Sequence, residues 1–324
     1  MNKISSIHIL RGLAASLVCL CHFATGSPDY LPDGNVIKIV GVHSVYGVQI
    51  FFVISGFILP YSLYKSGYHL RDFGNFLIRR VVRIDPPYLI SILIVLVLAY
   101  ISTLSPFYRG GPFQFFWKDT LLHLGYLNAL FNRPWLSPVY WTLAIEFQFY
   151  ILLGVFFTLF KESKLLIRVL VVTLFFSLSL IFSSRSLIFC HAPIFFMGIF
   201  TFLYYEKLID LYQFLGVIFV ATLVGIYSFS FEGTMFGFFT VGAILFIKGQ
   251  NRFLFFIGNI SYSLYLLHVP IGSRITNLTE ALTTNVNIRL LMIVVAYAAS
   301  VFAAYVFYKV IEQRAIQWSK RIQH

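Results

Sequence analysis

VYWTLAIEFQFYILLGVFFTLF, residues 139–160, runs for 22 residues with one charged side chain, Glu146. At 1.5 Å of rise per residue such a helix is about 33 Å long, enough to cross the roughly 30 Å hydrocarbon core of a bilayer. Nine further apolar stretches have similar character, at approximately 7–26, 41–64, 81–103, 165–183, 187–205, 210–228, 233–248, 253–276 and 288–311. The expected fold is therefore all-α, a polytopic transmembrane helical bundle of about ten spans. Bulk composition agrees. Of the 324 residues 59% are hydrophobic and only 11% charged, where soluble chains carry roughly 25% charge. A soluble fold has to cover its core with polar surface, and this chain has too little.

The basic residues set an expected orientation. With the N-terminus inside, 17 of the 24 Lys and Arg fall on the cytoplasmic side, which places both termini in the cytoplasm. The net charge of +12 thus reads as membrane topology, and the lipid bilayer rather than nucleic acid is the expected partner. The N-terminal apolar stretch has no small-residue cleavage site after it and reads as the first span. Residues 1–324 form one integral membrane domain, with no soluble domain expected. The longest polar connection, 104–138, reads as an external loop or a re-entrant segment at the headgroup level. Cys19, Cys21 and Cys190 all lie in apolar segments and read as small packing residues, with no metal site expected.

Ionisable groups inside a span are costly and face a cavity or a partner. Arg11 and His22 share one face of the first span, about 16 Å apart along the axis. Histidine suits proton movement near neutral pH; a snorkelling arginine and a hydrogen-bonded structural histidine fit the same pattern. Glu146 needs a cationic or hydrogen-bonding partner, for which His22 and Arg11 are candidates, and Tyr150 shares its face. Arg79, Arg80 and Arg83 cluster at the cytoplasmic mouth of the third span. Guanidinium groups bind phosphate in bidentate fashion, and topological anchoring accounts for the cluster equally well. Ser55-Gly56 is a small pair that admits a neighbouring helix or a ligand. Ser261, Tyr265 and His268 make a polar stripe on one face, with Tyr262 expected to point elsewhere.

Taken in order, LRGLAASLVCLCHF (10–23), GVQIFFVISGFIL (47–59), FLIRRVVRIDPPYL (76–89), WTLAIEFQFYILL (141–153), IGNISYSLYLLHVPI (257–271) and YKVIEQRAIQ (308–317) resemble the acyltransferase 3 family. The resemblance covers essentially the whole chain. It implies a membrane-bound O-acyltransferase that carries an acetyl group from cytoplasmic acetyl-CoA to a hydroxyl of a surface glycan, such as lipopolysaccharide O-antigen or exopolysaccharide. No permanently bound cofactor is implied, and the location implied is the bacterial cytoplasmic (inner) membrane, as a multi-pass protein. By position, His22 matches the family's proposed catalytic histidine and Arg11 its paired arginine. Arg80 and Arg83 match the element associated with the acyl donor, with Arg79 beside them. Glu146 matches the acidic position five residues after Trp141.

Two positions depart from the family pattern: Asp85 stands where many relatives have Tyr, and Gln49 where an acidic residue is common. The chain ends just after its last span, without the soluble hydrolase-like domain of some relatives. On this reading coenzyme A docks on Arg79, Arg80 and Arg83, and its thioester reaches towards His22. His22, polarised by Glu146, acts as general base or carries the acetyl itself. The acceptor is expected at the outer loops 27–40 and 104–138, where Trp117, His123, Trp135 and Tyr140 stack on sugars or form an aromatic belt. Two rival classes use the same buried polar residues: a proton-coupled transporter or polysaccharide exporter, and a non-catalytic export component. Oligomeric state is not readable from the sequence.

Overall fold

A computed structural model describes residues 5–108, 110–162, 164–182, 184–247, 249 and 251–322; Lys3, Arg109 and Lys248 of the topology count lie outside them. Among the described residues there are helices and no strand. Helix α1 (Ser5–Thr25) is followed by the short α2 (Val36–His43), a 3-10 turn at Ser44–Tyr46, and α3 (Gly47–Lys65). Then come α4 (Phe73–Thr103), the short α5 (Trp117–Leu122), α6 (Trp141–Glu162), α7 (Leu165–Ile181) and α8 (Ile188–Tyr205). Helices α9 (Leu211–Ser228) and α10 (Phe231–Phe246) lead to a broken rod made of α11 (Arg252–Asn259), α12 (Ser261–His268) and α13 (Arg274–Leu282). Finally α14 (Val286–Phe307) continues into α15 (Gln313–Arg321). Single π-helical turns, Val269–Ser273 and Tyr308–Glu312, join α12 to α13 and α14 to α15.

Among the described residues seven helices are long and apolar enough to cross a membrane, or eight with the broken rod. Helices α7 and α10, of 17 and 16 residues, are apolar but shorter. Every expected stretch falls on one of these helices, so the class is as read and the number that span by length is smaller. Helix starts follow local chemistry. The side chains of Asp210, Ser230 and Asn251 each accept a backbone N–H three residues on, satisfying donors that the first helical turn leaves free.

Helix α8 is the central post, with 83% of its span buried in protein, against 22% for the peripheral α9. Gly56 of α3 and Gly198 of α8 make the closest approach: a Cβ on Gly56 would strike the Phe195 carbonyl, and one on Gly198 the Val53 carbonyl. Gly12 of α1 and Gly258 of α11 are opposed in the same way, against the carbonyls of Leu254 and His8. Without a hydrophobic driving force between helices in lipid, such backbone contact is what holds them together. Gly56 of the expected small pair is therefore a packing residue.

The connection between α4 and α6 folds back against the bundle. Its Tyr126, in left-handed conformation at φ 57°, donates to Asp85 Oδ1 at 2.7 Å and stacks on Tyr88 and Phe147. Tyr140 meets Ser91 at 2.9 Å. Ser91 lies 12 residues before the end of α4, about 18 Å along its axis. Helix α6 thus starts well inside the bundle. The segment's base is tied by Arg133 to Asp119 at 2.5 and 3.1 Å, and by His123, which is fully buried.

Candidate functional site

Between α11 and α12 the rod bends by 69°, which turns α12 across the bundle and opens a cavity beside it. The cavity measures about 940 Å³ counting its open mouth. Its polar lining comes from six directions: Arg11 of α1, Ser55 of α3, Arg80 and Arg83 of α4, Glu146 and Tyr150 of α6, Ser261 and Tyr265 of α12, and Glu312 of the second π turn. Residues spread over the whole sequence meet here.

The hydrogen bonds fix some of these groups and leave others free. Arg11 Nε donates to Ser261 Oγ at 3.1 Å, and that hydroxyl donates to the Gly258 carbonyl at 2.9 Å. Ser55 Oγ donates to Glu146 Oε1 at 3.1 Å, and the Tyr150 hydroxyl is bonded to the same carboxylate. Glu312 accepts from Ser263 Oγ at 2.5 Å and from Ser263 N at 3.1 Å. Thr142 Oγ1 and the Tyr265 hydroxyl lie 2.7 Å apart, both beside the Val139 carbonyl.

Arg80 is different. Its guanidinium lies over the rings of Phe76 and Tyr150, at 5.4 and 6.0 Å, and its buried Nε has no hydrogen-bond partner. Arg11 lies in the field of Arg83, Glu312 and Glu146. Among the described residues no ion pair within 4 Å joins these arginines to either glutamate. Guanidinium donors that no carboxylate has claimed, gathered around an open volume, suit a phosphate-bearing ligand. No three His, Cys, Asp or Glu side chains among the described residues come together as a metal site.

His22 is half-buried and does not line the cavity. Its ring lies 5.2 Å from that of His268, which in turn lies 5.8 Å from Tyr265 on the cavity wall. His268 bonds the Leu264 carbonyl through Nδ1 at 3.1 Å, so that nitrogen carries the proton. The buried Nε2 is left as a lone pair without a partner. The expected polarisation of His22 by Glu146 has no contact behind it. Glu146 is engaged with Ser55 and Tyr150, and the bent rod brings His268 to the histidine instead.

Other sequence-derived candidates divide similarly. Arg79 is half-exposed on α4 and outside the cavity lining. Tyr140 is fully buried and its hydroxyl is taken up by Ser91. Trp141 turns to a second cavity. Tyr262, expected to point away, lines the first cavity and donates to the Ile84 carbonyl at 2.9 Å. The first turn of α12 projects into the cavity, so neighbouring faces of that turn both line it. Glu312 was not anticipated. The only signal for it is a carboxylate directly after the apolar run that ends at 311.

Among curated proteins and among solved structures none matches the chain. A family model described as an acyltransferase domain matches residues 4–309, a range that contains every polar cavity residue above except Glu312. An arginine-lined cavity within a multi-pass bundle, built from the matched segments, agrees with that assignment: the chain belongs to the acyltransferase 3 family.

Proposed function

We propose that this acyltransferase takes an acetyl group from cytoplasmic acetyl-CoA and transfers it to a hydroxyl of a surface glycan, O-antigen or exopolysaccharide, in the bacterial inner membrane. The observation that carries the reading is Arg80 Nε, buried and unpartnered beside a cavity that Arg11 and Arg83 also line. Arg80 and Arg83 hold the donor's phosphates, and Arg79 on the outer side of the same helix adds positive potential at the mouth. From Arg11 the axial distance to His22 is about 16 Å, a depth that the donor's extended arm is suited to cover.

In the reaction the glycan hydroxyl oxygen bonds to the thioester carbonyl carbon and the C–S bond breaks. The hydroxyl proton passes to His22 and returns to the departing thiolate, leaving the imidazole neutral. A two-step route, with the acetyl first on a His22 nitrogen, has the same net balance. His268 positions the His22 ring through its own bond to the Leu264 carbonyl.

The test measures free thiol from acetyl-CoA in proteoliposomes supplied with the source cell's surface polysaccharide. Arg80→Ala removes charge-assisted bonds worth about 1.5–3 kcal/mol and is expected to raise the donor KM by about 10–100-fold. His22→Ala is expected to lower kcat by about 10²–10⁴-fold. Glycan uptake without thiol release, or thiol release unchanged in both variants, would sink the proposal.

A further inference from the structure

A second cavity opens where α3, α6 and α8 begin. Val45, Tyr46 and Gln49 wall one side, Trp141 and Phe229 another, and Arg185 stands at the mouth. It encloses about 870 Å³ counting that mouth. Gln49 is only 2% exposed, and its Oε1 is buried without any hydrogen-bond partner. A buried acceptor left unpaired is a penalty that a donor from a ligand relieves. Arg185 is exposed and lies over the Phe229 ring at 5.4 Å. The Tyr46 hydroxyl is bonded to Glu232 and Ser230 at the rim.

We propose that this cavity binds one pyranose ring of the acceptor glycan, with a ring hydroxyl donating to Gln49 Oε1. That the ring belongs to the acceptor rests on the function proposed above; that a sugar binds does not. A pyranose presents flat C–H faces and a rim of hydroxyls. Trp141 and Tyr46 offer aromatic walls to the first, and Gln49 and Arg185 offer an acceptor and donors to the second.

The position suits an acceptor. Gln49 in this cavity and Ser55 in the arginine-lined one stand six residues apart on α3, about 9 Å along the axis. Val48 lines both. Between them Phe52 meets Trp141 edge-on at 6.5 Å and stacks on Phe195 at 4.7 Å. Donor and acceptor therefore approach one layer of side chains from opposite ends.

Saturation-transfer NMR tests the site on the whole protein in nanodiscs, without any acyl donor. The probes are the methyl glycosides of glucose, galactose, mannose and glucuronic acid. At least one is expected to receive saturation on its ring C–H protons. Gln49→Leu, which keeps the volume and removes the acceptor, is expected to weaken binding about tenfold or more. Val45→Trp, at an exposed position on the mouth, is expected to abolish it by occlusion. No saturation of any probe, or equal saturation in both variants, overturns the site. Sugar binding that depends on Gln49 in a protein that releases no thiol would retain the site and remove the acyl-transfer function. Glycan acetylation unchanged in both variants would do the reverse.

Discussion

Glu312 follows Lys309 and precedes Arg314, and in sequence those neighbours make it read as one of several charges at a membrane surface. Folding gives it another setting. The π turn at Tyr308–Glu312 carries it inward until it is 4% exposed, with both Ser263 donors on one carboxylate oxygen. There it lies in the field of Arg11 and Arg83, and its charge offsets their mutual repulsion. Glu312→Ala removes two hydrogen bonds to a charged acceptor, each worth about 1.5–3 kcal/mol, and should cost about 3–6 kcal/mol. Ser263→Ala should cost only about 1–3 kcal/mol, since the backbone donor remains. Thermal unfolding in detergent would separate the two, and equal small losses would contradict a buried counter-charge. Arg11 and Glu146 were legible because each violates an apolar run, and the α4 arginines because they cluster at the start of one. Glu312 was not, because it violates none: its burial depends on a helical irregularity that composition does not encode.

Among the elements, the segment from α5 to the start of α6 departs furthest from its sequence reading. Trp117, His123, Trp135 and Tyr140 suit an aromatic belt or a sugar platform by type alone. In the fold only Trp117 is well exposed, while His123 and Tyr140 are fully buried. His123 is the clamp: its Nε2 accepts from Leu136 N at 3.1 Å, and its Nδ1 meets the Asp119 carbonyl at 2.8 Å. With one nitrogen accepting, Nδ1 carries the proton and the ring must be neutral. Burial pushes the His123 pKa below its ordinary value of 6.5. The unfolded segment therefore binds the proton more readily. The clamp's contribution is complete above about pH 6.5 and is lost as the pH falls below it. The protection factor of the Leu136 amide, the intrinsic exchange rate at each pH over the observed one, should fall on acidification from pH 7 to 5, and His123→Gln should remove most of that dependence. A protection factor flat with pH in the native protein would contradict a neutral clamp. The bend between α11 and α12 was equally hidden. Residues 253–276 read as one largely apolar run, and hydropathy does not distinguish a straight span from a broken one.

At the scale of the whole molecule, the expected orientation has a direct measurement. The native cysteines are buried, so a membrane-impermeant maleimide reports only on introduced ones. Ser184→Cys, beside the second cavity, should label in intact cells. Arg321→Cys should label only after permeabilisation, and the reverse pattern would overturn the orientation. Composition and charge distribution made the bundle and its proposed direction readable, because lipid imposes a simple rule on every span. Which helices touch was not readable: nearly all faces are apolar, so periodicity marks no core side. The glycine contacts and the bend settle those neighbours. The contrast between α8, with 83% of its span buried, and α9, with 22%, also bears on how the chain tolerates change. A side chain on α9 meets mostly lipid, which accepts any apolar shape. One on α8 meets fixed neighbours on nearly every side, where both added and missing methylenes are felt. Neutral drift is therefore wide in α9 and narrow in α8, although α8 supplies none of the polar residues of the arginine-lined cavity.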